Sequence, residues 1–361
     1  MEQKRPHSNR KLFWSIMLPS TIMFFLGIAG CCALGLFTST PPPVRAPEQF
    51  PDTEIVFDGS NIFDVDVGRR LGFVNADGSA LTYITIGAKS KDQEYKYGTL
   101  PAMTGDKSTL VFLMTRATKL HQPYVAGNPY VGGNGKLVIV LHGEFPIVCE
   151  NWYSGRPQLF EDGILVLNPV NKTLALHKLA DCENSSNALP LRIYEPPEWQ
   201  YTADNGQIET VPQFGYISPN EQLMAYRLTN EIVIRDLSSG EETSIGEGDY
   251  PAWSRDSQWL SYVGHDGIYI VKTDGTEKRR VVKSPYSNSM IYYSSGYYIP
   301  PWPAWSPDGQ WLVYHLYTDT SVRPPAEIPI YKVNVNTGEV IKIVDYGIFP
   351  SWRWPAEQPG E

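Results

Sequence analysis

Four cysteines in 361 residues are too few to build the fold on disulfides. Two of them, Cys31 and Cys32, lie in an apolar stretch, which leaves Cys149 and Cys182 as an even pair able to bridge. Basic clusters are nearly absent: after residue 11 only Lys278-Arg279-Arg280 qualifies. The net charge is −9, and the first 37 residues contribute +3 (Lys4, Arg5, Arg10 and Lys11 against Glu2), so the remainder carries −12. A body that acidic is a poor partner for nucleic acid. Catalytic signatures are missing too. No G-x-S-x-G elbow, H-E-x-x-H or C-x-x-C spacing occurs, and His7, His121, His142, His177, His265 and His315 are isolated in sequence. Glu144, Glu150, Glu161 and Asp162 cluster in sequence, but nothing pairs two of them at the separation glycoside cleavage needs. No cofactor or metal site is expected. Asn171-Lys172-Thr173 and Asn184-Ser185-Ser186 match the short glycosylation pattern, which matters only in a eukaryotic secretory host.

Apolar length is concentrated at the N-terminus. Residues 12–37 hold no charged side chain, and as a helix they would reach roughly 39 Å, enough to span a hydrocarbon core of about 30 Å. The basic flank 1–11 precedes the run, so the positive-inside rule keeps it cytoplasmic and sends the body across. Ile28-Ala29-Gly30-Cys31 resembles a bacterial lipobox, in which Cys31 would carry the lipid. Two readings stand open, a retained single-pass anchor and a lipoprotein signal. Both place the body outside the cytoplasm on a membrane tether. Residues 38–54, with Pro41-Pro42-Pro43, read as a stiff spacer, 55–355 as the folded body and 356–361 as a tail.

The body repeats. PAWSRDSQWLSY (251–262) and PAWSPDGQWLVY (303–314) match closely, and FGYISPNEQLMAY (214–226) matches more loosely. GFVNADGSALTYI (72–84) and LPAMTGDKSTLVF (100–112) share the frame: a short apolar strand, a tight turn, a second strand. A strand, polar turn and strand follow at 164–179, 231–246, 267–282 and 330–344, with TLALHKL (173–179) the weakest strand of the set. Units of four short antiparallel strands every 35 to 55 residues are blades of a β-propeller.

PAWSPDGQWLVY followed by IYKVNVNTGEV resembles the repeat of TolB-like six-bladed propellers, which also occurs in the propeller of the dipeptidyl peptidase IV family. The resemblance covers roughly residues 70 to 354. It implies an all-β, six-bladed propeller with first strands near Phe73, Met103, Leu159, Tyr216, Trp253 and Trp305. A seventh blade would require promoting FPSWRWP (349–355), which otherwise closes the ring beside the N-terminal strands. TolB-like propellers serve mostly as protein-binding platforms, and no hydrolase domain of the peptidase kind is expected after Glu361. The function expected is a membrane-tethered, non-catalytic binding or scaffold module. The alternatives are a propeller enzyme acting on glycans and the sensor subunit of a membrane assembly.

Antiparallel connectivity sends second-to-third loops and inter-blade links to one face, and the other turns to the opposite face. The long insertions 117–135, 182–211, 284–302 and 318–327 are all expected on the first face. The insertion 284–302 carries Tyr286, Tyr292, Tyr293, Tyr297 and Tyr298, aromatics suited to a partner protein or glycan surface. Trp253 and Trp305 hold matched repeat positions and are expected in the core. Cys149 and Cys182 are expected to bridge within the third blade.

Overall fold

The structure is a computed structural model that describes residues 45–59, 70–85, 95–116, 136–168, 173–202, 207–283, 301–316 and 328–354. Cys31, the apolar stretch 12–37 and the tyrosines of 284–300 lie outside the described residues. Among the described residues no helix is long and apolar enough to cross a membrane.

Short strands rich in Val, Ile, Trp and Tyr, punctuated by Asp, Asn, Ser and Gly, form six four-stranded antiparallel units. Blades four to six follow the repeat frame directly. Blade four runs Tyr216–Ile217, Leu223–Leu228, Glu231–Asp236 and Glu242–Glu247. Blade five runs Asp249–Trp253, Trp259–Gly264, Gly267–Lys272 and Arg279–Lys283. Blade six runs Ala304–Trp305, Trp311–His315, Ile330–Asn334 and Val340–Val344.

Blade one departs from the expected phase. Its inner strand is the C-terminal Ile348–Trp352, which pairs with Ile55–Asp58 through Ile55↔Trp352 and Asp58↔Ile348. Arg70–Val74, which contains Phe73, is therefore the third strand and Thr82–Thr85 the fourth. The turn at Asp77-Gly78 joins strands three and four, not one and two as its repeat frame suggested. A hairpin has the same local pattern at either place in a blade, so only ring closure sets the phase. The terminal FPSW segment thus closes a six-membered ring and starts no seventh blade.

Blades two and three share a strand. Blade two comprises Tyr95–Met103, Thr109–Arg116, Lys136–Leu141 and the start of Ile147–Leu159, where Ile147 pairs with Ile139. The end of the same strand, at Gln158 and Leu159, pairs with Ile164–Asn168 and becomes the inner strand of blade three. Thr173–His177 and Arg192–Tyr194 complete that blade. The sequence 164–179 accordingly supplies strands two and three, not three and four. TLALH is a strand and a 3-10 helix, Leu179–Asn184, follows it. Of the 182–211 insertion, the part before Arg192 belongs to the third-to-fourth connection and so to the tight-turn face. The hairpin Glu198–Thr202 with Ile208–Pro212 lies in the link to blade four.

Apolar side chains fill the seams between blades. Val56, Phe73, Leu110 and Val138 pack between blades one and two. Leu165, Phe214 and Tyr226 do the same between three and four, and Ile234, Trp253 and Tyr262 between four and five. Ile268, Trp305 and Tyr314 fill the fifth seam, and Phe57, Val313 and Trp352 close the sixth.

Cys149 and Cys182 form a disulfide with Cα atoms 4.7 Å apart and a sequence separation of 33. It does not stay within blade three. Cys149 follows Val148 in the part of the shared strand that pairs with blade two, whereas Cys182 sits in the 3-10 helix of blade three, so the bond staples the two blades. Both cysteines are buried. In the chain-entropy account a loop of this length stabilises by about 3–4 kcal/mol. Reduction should lower the melting temperature by several degrees without abolishing the cooperative transition, read by calorimetry with and without reductant. An unchanged transition would show that the bond constrains nothing in the unfolded chain.

Candidate functional site

Five of the six inner strands carry an X-Pro dipeptide within them or just before them: Leu100-Pro101, Arg156-Pro157, Tyr250-Pro251, Trp302-Pro303 and Phe349-Pro350. The sixth, in blade four, reads Phe214-Gly215-Tyr216. Leu100, Tyr250 and Phe349 have left-handed backbones, with φ of 54°, 57° and 51°. Bulky residues avoid that region, and each costs on the order of 1–3 kcal/mol. The strain turns their side chains into one buried cluster with Trp302. These residues come from blades one, two, five and six, and side chains from non-adjacent blades meet only on the axis. The cluster is an axial plug. Ring contacts of 5.0 Å between Tyr250 and Trp302 and 5.9 Å between Tyr216 and Trp302 tighten it.

Arg156 occupies the same repeat position in blade three, and its side chain is buried. Its Nη1 donates to the Pro303 carbonyl at 2.7 Å, and Nη2 donates to the Pro350 carbonyl. Blade six stands opposite blade three in a ring of six, so this side chain crosses the axis. The guanidinium lies 5.9 Å from the Trp302 ring centroid. Burial pushes its pKa down to about 10, which leaves it cationic at neutral pH. Replacing it with Met keeps the bulk but strips both carbonyls of their donor. The expected loss is about 2 kcal/mol, because relief from burying a charge offsets part of the lost hydrogen bonding. Thermal melting of the Arg156→Met variant checks this, and a variant more stable than the parent would contradict it.

Above this plug an axial cavity of about 630 Å³ opens. Every blade lines it: Ala102, Gln158, Tyr216, Trp253, Trp305 and Ser351 stand for blades two, three, four, five, six and one. Its rim is formed by the turns between first and second strands, so it opens on the tight-turn face. Trp354 and Arg255 meet at the rim, the guanidinium 6.0 Å from the ring centroid.

Those turns share one chemistry. In blades two, four, five and six a hydroxyl donates to the carboxylate or amide oxygen two residues on: Thr104 to Asp106 (2.6 Å), Ser218 to Asn220 (2.7 Å), Ser254 to Asp256 (2.6 Å) and Ser306 to Asp308 (2.5 Å). The same hydroxyls accept backbone N–H from Thr109, Leu223, Trp259 and Trp311 at 2.9 to 3.0 Å. Burial would raise the Asp106 pKa, but hydrogen bonds from Thr104 and Ser108 outweigh it and hold the carboxyl below its ordinary value. The turns are thus rigid, and their carboxylates are occupied in holding them.

Trp253 and Trp305 are 5% and 4% exposed, as core residues should be, and both also edge the cavity. Their indole N–H groups donate to the Tyr216 and Ala252 carbonyls of the preceding blade, at 2.7 and 3.0 Å. Of the clustered acids, Asp162 pairs with Arg192 at 2.9 Å and Glu161 reaches the cavity rim. Among the described residues no group of His, Cys, Asp and Glu is placed to hold a metal ion. Sequence reasoning singled out neither Arg156 nor the cavity. The X-Pro dipeptide recurring within or just before the inner strands was the available signal.

Comparison with solved structures returns the same architecture. TolB from Acinetobacter baumannii superimposes over 83% of this chain and 66% of its own, with a TM-score of 0.52 and 12% identity. The fold is that of the TolB-like propellers. At 12% identity the likeness is one of fold, and the chain spans just under two thirds of that TolB's length, 66%. A putative TolB from Agrobacterium tumefaciens covers 84% of this chain and 93% of its own at TM-score 0.45 and 18% identity. The periplasmic gluconolactonase of Pseudomonas aeruginosa covers 84% and 85% at TM-score 0.41 and 12% identity. No family model and no curated protein matches this sequence.

Proposed function

We propose that the protein is a non-catalytic, extracytoplasmic binding module, tethered through residues 12–37, that grips a partner protein in the axial cavity. The observation that carries this is a cavity which all six blades line, floored by a buried cation and rimmed by rigid turns. A rigid ring holding strained residues at its centre is suited to presenting a preformed site. The charge-free stretch after a basic flank supports the tether, and a disulfide between blades suits an oxidising compartment. Cys31 is the point where the lipoprotein form of the tether would attach. Tyr286, Tyr292, Tyr293, Tyr297 and Tyr298, in the insertion between blades five and six, would offer the same partner or a glycan a second set of contacts.

Photo-crosslinking in cells tests the assignment. A photoreactive residue replacing Trp354, at the cavity rim, should give a discrete protein adduct. One replacing Ser239, at an exposed turn on the outer edge of blade four, should give none. Adducts from position 292 with none from 354 would move the site to the 284–302 insertion.

A further inference from the structure

Large apolar side chains stay in water along one edge of the tight-turn face. In blades one, two and three, Leu81 (45% exposed), Leu141 (38%), Phe145 (48%) and Leu189 (83%) lie in or directly beside the connection between third and fourth strands. Blade six adds Val340, just past its own connection. The matching connections of blades four and five hold Ser238-Ser239-Gly240-Glu241 and Asp274-Gly275-Thr276-Glu277. Singly exposed leucines are ordinary, but apolar side chains grouped on neighbouring blades mark a contact surface.

The chain enters the propeller at this same edge. The Ala46 N–H donates to the Glu144 carbonyl and the Gly143 N–H to the Pro47 carbonyl, both at 2.9 Å. The Arg45 guanidinium lies 5.6 Å from the Phe145 ring centroid. Eight residue steps separate Phe37 from Arg45, so even a fully extended spacer reaches no further than about 29 Å.

We propose that the apolar edge of blades one to three docks on the lipid surface that holds residues 12–37. This rests on the tether proposed above. The short spacer favours lipid as the occupant, because it confines this edge near the bilayer at high effective concentration. Apolar side chains gain by entering the interface in proportion to the area they bury. Charge does not drive the contact. Glu48, Asp77, Glu144 and Glu183 stand exposed in the entering segment and the same connections, and they outnumber Arg45 and Lys178. Anionic headgroups therefore repel this edge. Contact along one edge tilts the ring, so the cavity mouth stays open past blades four and five.

The test places a photoreactive residue at position 145, 189, 228 or 239 of the full chain, reconstituted in phosphatidylcholine vesicles. Leu228 is exposed at the end of the second strand of blade four, on the opposite face, and Ser239 is in that blade's polar connection. Mass spectrometry should find lipid adducts at 145 and 189 several-fold above those at 228 and 239. Leu81→Ser combined with Leu189→Ser should cut the yield at 145 several-fold and leave the melting temperature nearly unchanged, since both side chains are exposed. Adding phosphatidylglycerol should lower the yield. Equal yields at all four positions, adducts at 228 alone, or a yield raised by phosphatidylglycerol would overturn the proposal. Protein that floats with the vesicles and gives no lipid adduct would overturn it too, and leave the tether standing. Protein that does not float with them removes the tether and this proposal together.

Discussion

Replacing Trp253 or Trp305 with Ala should destabilise the protein by about 3–5 kcal/mol. Each indole fills a seam between blades, Trp253 against Ile234, Leu260 and Tyr262, Trp305 against Ile270, Leu312 and Val333. Truncation removes that packing and leaves the carbonyl of Tyr216 or Ala252 without its indole donor. The two seams are separate, so the losses should be close to additive. Denaturant unfolding of both single variants and the double variant measures this. Phe at either position should recover much of the packing but not the hydrogen bond. A Trp253→Ala variant that unfolds at the parental midpoint would mean that the ring belongs to the cavity and not to the seam.

A chain ending after Tyr346 should fail to fold cooperatively. It lacks Ile348–Trp352, the inner strand of blade one, and every residue of that strand is buried. Without it Ile55–Asp58 loses one of its two neighbours, and Phe349 leaves the axial plug. The ring then has an open seam in which Ile55, Phe57 and Val313 face water. A broad, protease-sensitive unfolding profile is expected by circular dichroism and limited digestion. A truncated chain that melts sharply within a few degrees of the full chain would show that the ring closes elsewhere. The effect exceeds that of reducing the Cys149–Cys182 bond, which joins two blades already adjacent through a shared strand.

The near-identity of 251–262 and 303–314 made blades five and six legible as strands, turns and even side-chain roles. Trp253 and Trp305 stood out as packing residues for the same reason. Ser254, Asp256, Ser306 and Asp308 sit in turns whose hydrogen bonds close within five residues, so local sequence was sufficient to specify them. Blade three was harder to read. Its inner strand has Arg156 where the other blades have Leu100, Phe214, Tyr250, Trp302 and Phe349, and its first and last strands depart from the repeat.

The sequence by itself determined the repeat, the antiparallel hairpins and the acidic body, and left six or seven blades open. Those properties follow from alternation, turn residues and composition, which act between near neighbours along the chain. Only the tertiary structure decided which strand begins blade one. Hairpins of strands one and two and of strands three and four look alike, and the phase is set when Ile55 meets Trp352 across 297 positions. It alone brought Arg156 to the carbonyls of Pro303 and Pro350, 147 and 194 residues away. A side chain on the axis answers to the opposite blade, and no local pattern encodes that distance. The cavity and the cation that floors it exist only because the ring closes.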